Sequence, residues 1–386
     1  MKQRILIFSS NYFPYIGGAE VAIHEITRRL KDDFNFDLIC PRYSKELKKE
    51  EIIGSVHVYR VGLGNRLDKF LVPFLGFRKA RQLKKTHIYS LFWAMMASHA
   101  SLAAARAQKA FQKPLVLTLQ EGDDEAHLKR YVLGSDVLYR LLIRPLHYLA
   151  MRRAQDITVI SRWLEKRARQ ANPKARIHLI PNGVDLKRFT QTIPQEQRTM
   201  MRKDLGLGEE DFLIISTSRL VKKNDIASLI LSLKHLPRHH YLALIGSGQL
   251  EKDLKKLAQK EGLAQRVFFL GKKKQEEILP YLRSADVFVR PSLSEGMGIS
   301  FLEAMAAELP VVATSVGGIE DFLLDSKTGF VCKVKDPRSI AEQVLLVGER
   351  ADLRASVVQN ARAMVESRYN WNAIARQMKD VFDTML

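Results

Sequence analysis

Short apolar runs alternate with amphipathic stretches along the first half of the chain. Arg4–Phe8 has the composition of a buried strand, and Ala19–Leu30 carries its apolar side chains at the spacing of one helix face. Further strands are predicted at Phe36–Cys40, Val56–Arg60, Leu115–Leu119, Ile157–Ile160 and Ile177–Ile180. Strands that alternate with helices indicate a parallel sheet covered by helices on both faces.

A polar, proline-containing stretch at residues 187–210 interrupts this alternation, and we interpret it as a linker. The alternation then resumes, with strands predicted at Phe212–Ser216, Tyr241–Ile245, Val267–Leu270, Val287–Val289, Val311–Thr314 and Phe330–Cys332. Two α/β units in tandem suit a chain of 386 residues, which is long for one domain. Because open α/β sheets bind ligands at the carboxyl ends of their strands, the loops after these strands form the candidate site.

The segment Arg290–Thr314 combines a strand end, a turn and a helix start in the sequence RPSLSEGMGISFLEAMAAELPVVAT. The turn is rich in Ser and Gly, and the helix is predicted to begin at residues 298–300. Unpaired backbone N–H groups and the positive end of the helix dipole attract phosphate at such a position. Glu295 lies in the turn and Glu303 one turn into the helix. By themselves, two glutamates at this spacing are more typical of a solvated helix start than of a functional site.

As a whole, this segment resembles the motif of glycosyltransferase family 4, a group of retaining enzymes with the GT-B fold. The motif has two glutamates separated by seven residues, an Ala-Met helix and a Pro-Val-Val strand. The resemblance implies that Glu303 hydrogen-bonds the donor ribose and that Glu295 lies beside the donor sugar. It also implies that the backbone of Gly298 and Ile299 and the hydroxyl of Ser300 hold the distal phosphate. The implied fold is α/β of the GT-B type, with two Rossmann-like domains whose parallel sheets face each other across a cleft.

The segment STSRLVKKNDIASLI at residues 216–230 resembles the Arg-Leu-Val…Lys segment of the same family. The resemblance implies that Arg219 and a lysine clamp the pyrophosphate. This arrangement is physically reasonable, because a departing nucleoside diphosphate without a metal needs fixed cations. The commonest family spacing places the lysine at Asn224, and the neighbouring residues are Lys222 and Lys223. We assign the role to Lys223.

Glycines in two other loops fit the family pattern. Gly17 and Gly18, in NYFPYIGGAEV, resemble its first strand–Gly-Gly–helix turn. Glycine lets backbone amides approach a diphosphate or an acceptor closely, although such a pair is also typical of a simple tight turn. Gly246, in IGSGQL, follows a strand and is predicted to lie in a loop beside the donor.

The segment LVLTLQEGDDEAH at residues 115–127 lies where the family usually carries a strand followed by His-Gly-x-Asp. This chain has Gln120 in place of the histidine and Asp123 in register with the aspartate. Glutamine hydrogen-bonds a sugar but does not shuttle protons at neutral pH, so both residues are assigned to acceptor binding. The acidic residues around Asp123 also suggest a metal site. Enzymes of this fold generally need none, and we expect neither a metal nor a cofactor.

The resemblance covers nearly the whole chain. It implies an acceptor-binding domain over residues 1–188, a nucleotide-sugar-binding domain over 189–367, and a C-terminal helix over 368–386 that crosses back to the first domain. Asn182, in a Pro-Asn-Gly turn, is predicted to be structural. Glu308 stands where the family usually ends a helix with Gly. A left-handed Glu costs about 1 kcal/mol more than Gly, so Glu308→Gly is predicted to stabilise slightly.

Positive charge is concentrated in the first half of the chain. Residues 1–190 carry 34 Lys and Arg against 17 Asp and Glu, and the remainder carries 28 against 25, within a net charge of +20. The segment RLDKFLVPFLGFRKARQLKK at residues 66–85 interleaves basic and apolar residues, as interfacial membrane segments do. A core-facing helix with solvated basic residues explains the same pattern. A nucleic-acid-binding protein is the alternative class, but the chain has no nucleic-acid-binding motif.

We therefore expect a retaining glycosyltransferase that moves a sugar from a UDP- or GDP-sugar to a hydroxyl of a lipid-linked or glycan acceptor. A sugar-nucleotide epimerase of the same fold is the enzymatic alternative. No run of about 18 apolar residues occurs, and the first residues resemble a strand rather than a signal peptide. With Cys40 and Cys332 far apart and expected to be buried thiols, we expect a cytoplasmic protein that contacts the inner face of the cell membrane.

Overall fold

The computed structural model describes residues 2–120 and 144–386, together with Ser135 and Val137. The chain divides into two compact units. Unit 1 comprises Met1–Gly183 and Trp371–Leu386, and unit 2 comprises Val184–Asn370. These boundaries differ by a few residues from those expected at 188/189 and 367/368.

Unit 1 contains, in its described residues, an eight-stranded sheet in the order β3-β4-β2-β1-β5-β6-β7-β8. The strands are β1 Gln3–Phe8, β2 Phe34–Pro41, β3 Glu50–Ile53, β4 Val56–Val61, β5 Leu91–Met95, β6 Leu115–Leu119, β7 Asp156–Val159 and β8 Arg176–Leu179. The expectation of a wholly parallel sheet is wrong at one edge, where β3 pairs antiparallel with β4. Strand β5 was not predicted from the sequence. This strand is buried along its whole length, so it shows no alternation of polar and apolar residues.

The helices of unit 1 are α1 Gly18–Arg29, α2 Asp68–Leu83, α3 His99–Phe111, α4 Arg144–Arg153, α5 Arg162–Ala171 and, after unit 2, the helix at Trp371–Asp383. This last helix has an apolar face that is buried in the core of unit 1. Its Phe382 ring lies edge-on to Phe34 and Trp93, with centroid distances of 5.8 and 5.4 Å. These aromatic contacts join the end of the chain to strands β2 and β5.

Unit 2 contains a parallel sheet in the order β11-β10-β9-β12-β13-β14. Its strands are β9 Phe212–Thr217, β10 His240–Ile245, β11 Val267–Gly271, β12 Val287–Arg290, β13 Val311–Thr314 and β14 Phe330–Cys332. This is the doubly wound order of nucleotide-binding folds, in which the direction of winding reverses between the first and the fourth strand. The reversal lies between β9 and β12, and the loops after these two strands are therefore the expected ligand site.

The helices of unit 2 are α6 Leu186–Phe189, α7 Gln195–Asp204, α8 Ile226–Ser232, α9 Glu251–Lys260, α10 Ile278–Ser284, α11 Ile299–Ala306, α12 Pro337–Glu349 and α13 Ala351–Arg368; the final helix of the chain is α14. The interpretation of residues 187–210 as a linker is wrong, because α6 and α7 belong to unit 2. Arg202 of α7 is buried and donates to the carbonyls of Ser284 and Gly208, each at 3.2 Å. This buried guanidinium ties α7 to the end of α10 and to the segment that leads into β9.

The helix predicted to start at residues 298–300 is confirmed as α11, and it ends at Ala306. Glu308, two residues later, has φ +56°, which confirms the expected left-handed conformation. Its carboxylate pairs with Arg283 at 2.7 Å and with Arg362. These ion pairs are absent from the sequence argument, and they reverse the stability change that we expect for Glu308→Gly.

Candidate functional site

Two loops meet at the carboxyl end of the unit 2 sheet, where the winding reverses. The loop after β9 carries Arg219 and a single 3-10 turn at Lys222–Asn224. The loop after β12 leads into α11, and its Leu293 N–H donates to the carbonyl of Lys223 at 2.7 Å. This backbone hydrogen bond fixes the two loops to each other. The cations predicted on one loop are consequently neighbours of the glutamate predicted on the other.

The N-terminus of α11 is shaped by Gly298. Its φ is +86°, and a Cβ there would lie 2.5 Å from the ring of Phe301, so only glycine fits without a shift of that ring. The helix starts at Ile299, and Ser300 is its second residue. The N-cap residue, a glycine, has no side chain to cap the first turn. The Phe301 N–H donates to the Gly298 carbonyl at 3.2 Å, and the N–H groups of Ile299 and Ser300 are left to meet an anion.

Glu295 lies among cations. Its side chain is 12% exposed, its Oε2 accepts from Arg290 Nη2, and Lys223 Nζ lies 3.9 Å from its Oε1. Burial acts to raise the pKa of this carboxyl, but Arg290, Lys223 and then smaller contributions outweigh burial and hold the pKa below its ordinary value. Glu295 is therefore ionised at neutral pH although it is buried.

Glu303 has the opposite electrostatic character. It lies on the first turns of α11, is 9% exposed, and accepts a hydrogen bond from Gln275 Nε2 at 2.8 Å. Burial raises its pKa from 4.5 to about 7, and the hydrogen bond from Gln275 and the charge of Arg188 only partly oppose that rise. The pKa values of the two carboxyls, eight positions apart, thus shift in opposite directions, because the cations beside Glu295 outweigh burial and the charge of Arg188 near Glu303 does not.

The three residues considered for the lysine of the clamp, at positions 222 to 224, have different surroundings. Lys222 is exposed, whereas the Lys223 side chain is 14% exposed and faces Glu295. Asn224 is buried, and it donates through Nδ2 to the carbonyl of Arg219 at 2.7 Å. Arg219 itself is exposed, and its charge contributes to lowering the pKa of Glu295. The structure therefore brings Arg219, Lys223 and Glu295 together.

Two glycine positions hold the loops of this site. Gly246, with φ +138°, packs so closely on the carbonyl of Ser218 that a Cβ would overlap it. Gly317, with φ +59°, packs in the same way on the carbonyl of Glu295, which accepts from the N–H of Gly318 at 2.9 Å. Both glycines are required by close approach of backbone to backbone. Gly246 thus holds the loop that carries Arg219 in place, and this structural role does not depend on a contact between Gly246 and a ligand.

The predicted residues of unit 1 lie on other elements. Gly17 and Gly18 are exposed at the start of α1. Gln120, at the end of β6, exchanges two amide hydrogen bonds with Asn182, at 3.0 and 3.1 Å. Asn182 is buried, and its pairing with Gln120 gives it a structural role and orients the glutamine. Asp123 and the acidic residues around it lie outside the described residues.

Three residues of the unit 2 site were not predicted from the sequence. Arg290 at the end of β12 contacts both Glu295 and Ser300, Asn224 contacts Arg290, and Gln275 contacts Glu303. A signal was present for Arg290, since a charged residue ends the otherwise apolar strand VFVR. Asn224 occupies the position at which the family commonly carries lysine. Gln275 had no local signal, because it reaches Glu303 only through the packing of the loop after β11.

The basic segment at residues 66–85 forms α2 and its flanks. Val72, Gly76, Ala80 and Leu83 face the interior, and Phe70 and Phe74 are 48% and 63% exposed. The guanidinium of Arg106 lies 4.5 Å from the Phe74 ring centroid. One face of this helix is therefore packed into the interior, and another face exposes apolar and basic side chains.

In the parts of the chain that the structure describes, no helix is long and apolar enough to cross a bilayer. The same described residues contain no cluster of three or more His, Cys, Asp or Glu side chains that could hold a metal ion. Cys40 and Cys332 are free and buried, as expected.

The chain matches the models of two protein families, one over most of unit 1 and the other over most of unit 2. Residues 16–188 match "Glycosyltransferase Family 4", and residues 197–364 match "Glycosyl transferases group 1". An uncharacterised glycosyltransferase of Methanocaldococcus jannaschii is 31% identical over 62% of this chain and 63% of its own length. The GDP-mannose-dependent monoacylated alpha-(1-6)-phosphatidylinositol monomannoside mannosyltransferase of Corynebacterium glutamicum is 29% identical over 59% and 62%. The chain thus spans less than two thirds of either relative.

Solved structures agree on the fold over the full length. Sucrose-phosphate synthase from Thermosynechococcus elongatus superposes with a TM-score of 0.85 at 20% identity, covering 100% of this chain and 99% of that one. Anabaena HepE in complex with UDP-glucose superposes with a TM-score of 0.80 at 22% identity, covering 99% of each chain. The two Rossmann-like units accordingly have the GT-B fold. The chain belongs to the group 1 glycosyltransferases of the family 4 type.

Proposed function

We propose that the protein transfers a sugar from a nucleoside-diphosphate sugar to a hydroxyl of a lipid-linked or glycan acceptor, with retention of the anomeric configuration. The observation that carries the proposal is the convergence of Arg219, Lys223 and the uncapped start of α11 on Glu295. Cations and helix N–H groups at one point form a site for a diphosphate.

Charge development explains why such a site promotes transfer. As the bond between the sugar and the diphosphate breaks, negative charge grows on the leaving phosphate. Arg219, Lys223 and the N–H groups at Gly298 to Ser300 are already in place, so they stabilise this charge without reorganisation. Fixed cations of this kind serve without a metal or a cofactor, and we propose that the protein uses neither.

The two glutamates suit different parts of the donor. Glu303 is buried with one oxygen held by Gln275, which leaves the other oxygen to accept from a ribose hydroxyl. Glu295 is ionised beside the cations, which suits a position near the sugar ring, where positive charge develops as the leaving group departs. The Corynebacterium relative is named for GDP-mannose and the Anabaena neighbour was solved with UDP-glucose, and these names support a UDP- or GDP-sugar as the donor.

A ligand panel tests the donor class. UDP-, GDP- and ADP-sugars are added to the protein, and the melting temperature is followed. A donor at 100 times its Kd stabilises the folded state by about 2.7 kcal/mol, so the correct base stands out. Arg219→Ala is the matched variant and should lose that stabilisation. If no nucleotide sugar raises the melting temperature, the donor assignment is wrong.

Turnover separates transfer from epimerisation. With the donor identified, lipid and glycan acceptors are added and the product is examined by NMR. Consumption of donor only with acceptor, and an anomeric coupling like that of the donor, support retaining transfer. Conversion of the donor sugar into its epimer without any acceptor would instead favour the epimerase.

We further propose that unit 1 contacts an anionic membrane surface through the outer face of α2. Leu67, Phe70 and Phe74 are exposed at helical spacing, and they are followed on the same face by Arg78 and Arg81. Apolar side chains beside basic ones suit the boundary between acyl chains and anionic headgroups, where each Lys or Arg contributes about 1 kcal/mol. An acceptor carried by a lipid would then be presented at this surface.

Vesicle flotation tests this contact. Wild-type protein should float with vesicles that contain phosphatidylserine and less with neutral vesicles, and the double variant Phe70→Ser/Phe74→Ser should float less than wild type. Leu179→Ser is the matched control, because Leu179 is 41% exposed on β8, at the far edge of the sheet from β4, whereas α2 packs on β2 and β4. Binding to DNA at two salt concentrations, without flotation, would favour the nucleic-acid alternative.

A further inference from the structure

Arg290 is a buried guanidinium that no part of the family resemblance explains. It ends β12, its side chain is 9% exposed, and its Cζ lies over the Phe301 ring, 5.0 Å from the ring centroid. Taking a guanidinium out of water is costly unless its charge and donors are matched. Its partners therefore indicate what the arginine does.

Three segments of unit 2 supply those partners. Nη1 donates to the Ser300 hydroxyl at 2.9 Å, and Nη2 donates to Asn224 Oδ1 at 3.1 Å and to the Glu295 carboxylate. Nε is inaccessible to solvent and has no partner among the described residues. The terminal nitrogens thus contact side chains of the site, and Arg290 acts through those side chains.

Asn224 is the informative partner. It lies 3.1 Å from Nη2, in the register where the family commonly carries the lysine of the clamp. A lysine at this position would extend its ammonium into the space that the guanidinium occupies. The asparagine is short and offers an acceptor, which suits a cation that arrives from β12 instead.

The hydrogen bond from Arg290 to Ser300 determines where the hydroxyl hydrogen of Ser300 points. Because the hydroxyl oxygen accepts from Nη1, its own hydrogen points away from the arginine and is available to an acceptor. Ser300 is the second residue of α11, where the open backbone N–H groups lie. A phosphate oxygen at the start of the helix is the acceptor that this geometry suits.

We propose that Arg290 is a positioning residue of the donor site, which supplies from β12 a second fixed cation beside Glu295, in addition to Lys223. It neutralises Glu295 and turns the Ser300 hydroxyl toward the distal phosphate of the donor. This inference rests on the proposed nucleotide-sugar function. Removal of Arg290 should also change the acid side of the pH profile, because Arg290 is the largest of the contributions that lower the pKa of Glu295.

The test compares nucleotides that differ by one phosphate. Arg290→Met keeps the packing on Phe301 and removes the charge and the donors. Affinities for UDP, GDP and the corresponding monophosphates are measured by calorimetric titration. We expect the diphosphate that wild type binds to lose affinity by about 10- to 100-fold, as when a supporting partner is lost elsewhere. The monophosphate should change by less than about threefold, because it lacks the phosphate that Ser300 holds.

Double variants test the two contacts. Asn224→Lys added to Arg290→Met should recover at least part of the lost diphosphate affinity, because the lysine returns a cation to Glu295. Ser300→Ala combined with Arg290→Met should reduce diphosphate affinity by less than the product of the two single fold-losses. Each substitution removes the same contact of the hydroxyl with the phosphate. Independent multiplication of the two effects would overturn the link between Arg290 and Ser300.

Arg202→Met is the control for the loss of a buried arginine. Arg202 has a 10% exposed side chain in the same unit but contacts α10 and the start of the sheet. It should lower the melting temperature and leave nucleotide affinity unchanged. If Arg290→Met does not fold, Arg290→Lys replaces it, because an ammonium keeps the charge but does not bridge three partners.

The outcomes are distinguishable. If wild type binds no nucleoside diphosphate, the proposed function fails, and this inference fails with it. If wild type binds a nucleoside diphosphate and Arg290→Met binds it equally well, only the role of Arg290 is refuted. Arg290→Lys serves for the same comparison if the methionine variant is unfolded. Equal losses for the diphosphate and the monophosphate would also refute it, since they indicate a general disturbance of the site.

Discussion

Glu303→Gln tests whether the buried carboxyl of α11 is kept at the expense of stability. Burial raises the pKa of Glu303 from 4.5 to about 7, so the folded state binds this proton more tightly than the unfolded state does. The proton therefore stabilises the fold fully below about pH 4.5, and this contribution is lost as the pH rises through 7. The difference of about 2.5 pKa units corresponds to about 3 kcal/mol.

Glutamine keeps the shape and the bond from Gln275 but cannot ionise. Its NH₂ group is a new buried donor, which costs roughly 1–3 kcal/mol if unpaired. At pH 8 the variant should equal or exceed wild type in stability by up to about 2 kcal/mol, and near pH 4.5 it should be less stable by roughly 1–3 kcal/mol. The difference between the two pH values remains about 3 kcal/mol whatever the amide costs. For a unit of this size, that corresponds to roughly 6–12 °C in melting temperature.

The assay is differential scanning calorimetry of wild type and variant between pH 4.5 and 8. Glu276→Gln is the control, since Glu276 is an exposed neighbour of Gln275, and its effect should be the same at each pH. Nucleotide affinity should fall by roughly tenfold in Glu303→Gln, because a charged acceptor bonds ribose more strongly than an amide oxygen. A stability difference that does not depend on pH would refute the reasoning. Full nucleotide affinity would refute the ribose contact.

Three further results are expected. Glu308→Gly should lower the melting temperature by roughly 2–4 °C, because Arg283 loses its carboxylate partner at 2.7 Å. We expect this loss to exceed the backbone strain of about 1 kcal/mol that glycine relieves at φ +56°. A higher melting temperature would show that the relief of strain dominates. Arg219→Ala and Lys223→Ala should each slow transfer by about 10²–10³, with exposed Lys222→Ala nearly silent, and the reverse order of the lysines would place the register at 222. Transfer should persist in EDTA because fixed cations stabilise the leaving group, and activity restored only by Mn²⁺ would contradict this.

The sequence by itself determined the features that depend on neighbours in the chain. The two α/β units follow from apolar runs separated by amphipathic stretches, since each pattern has its own period. The start of α11 follows from a strand, a Ser/Gly turn and a helix-forming segment in succession. Pro310 keeps Leu309 out of the helical region, so the helix must end before Leu309, and a left-handed residue such as Glu308 is a common way to end it. These predictions hold because short-range sterics decide them.

Only the tertiary structure decided which side chains share the site and in which charge state. The contact of Arg290 with Asn224 joins residues 66 positions apart, and it exists because β9 and β12 are adjacent in the sheet. The opposite pKa shifts of Glu295 and Glu303 likewise depend on which groups lie within a few ångströms. Burial and charge act through space, and the distances that govern them are set by the packing of strands and helices rather than by sequence spacing.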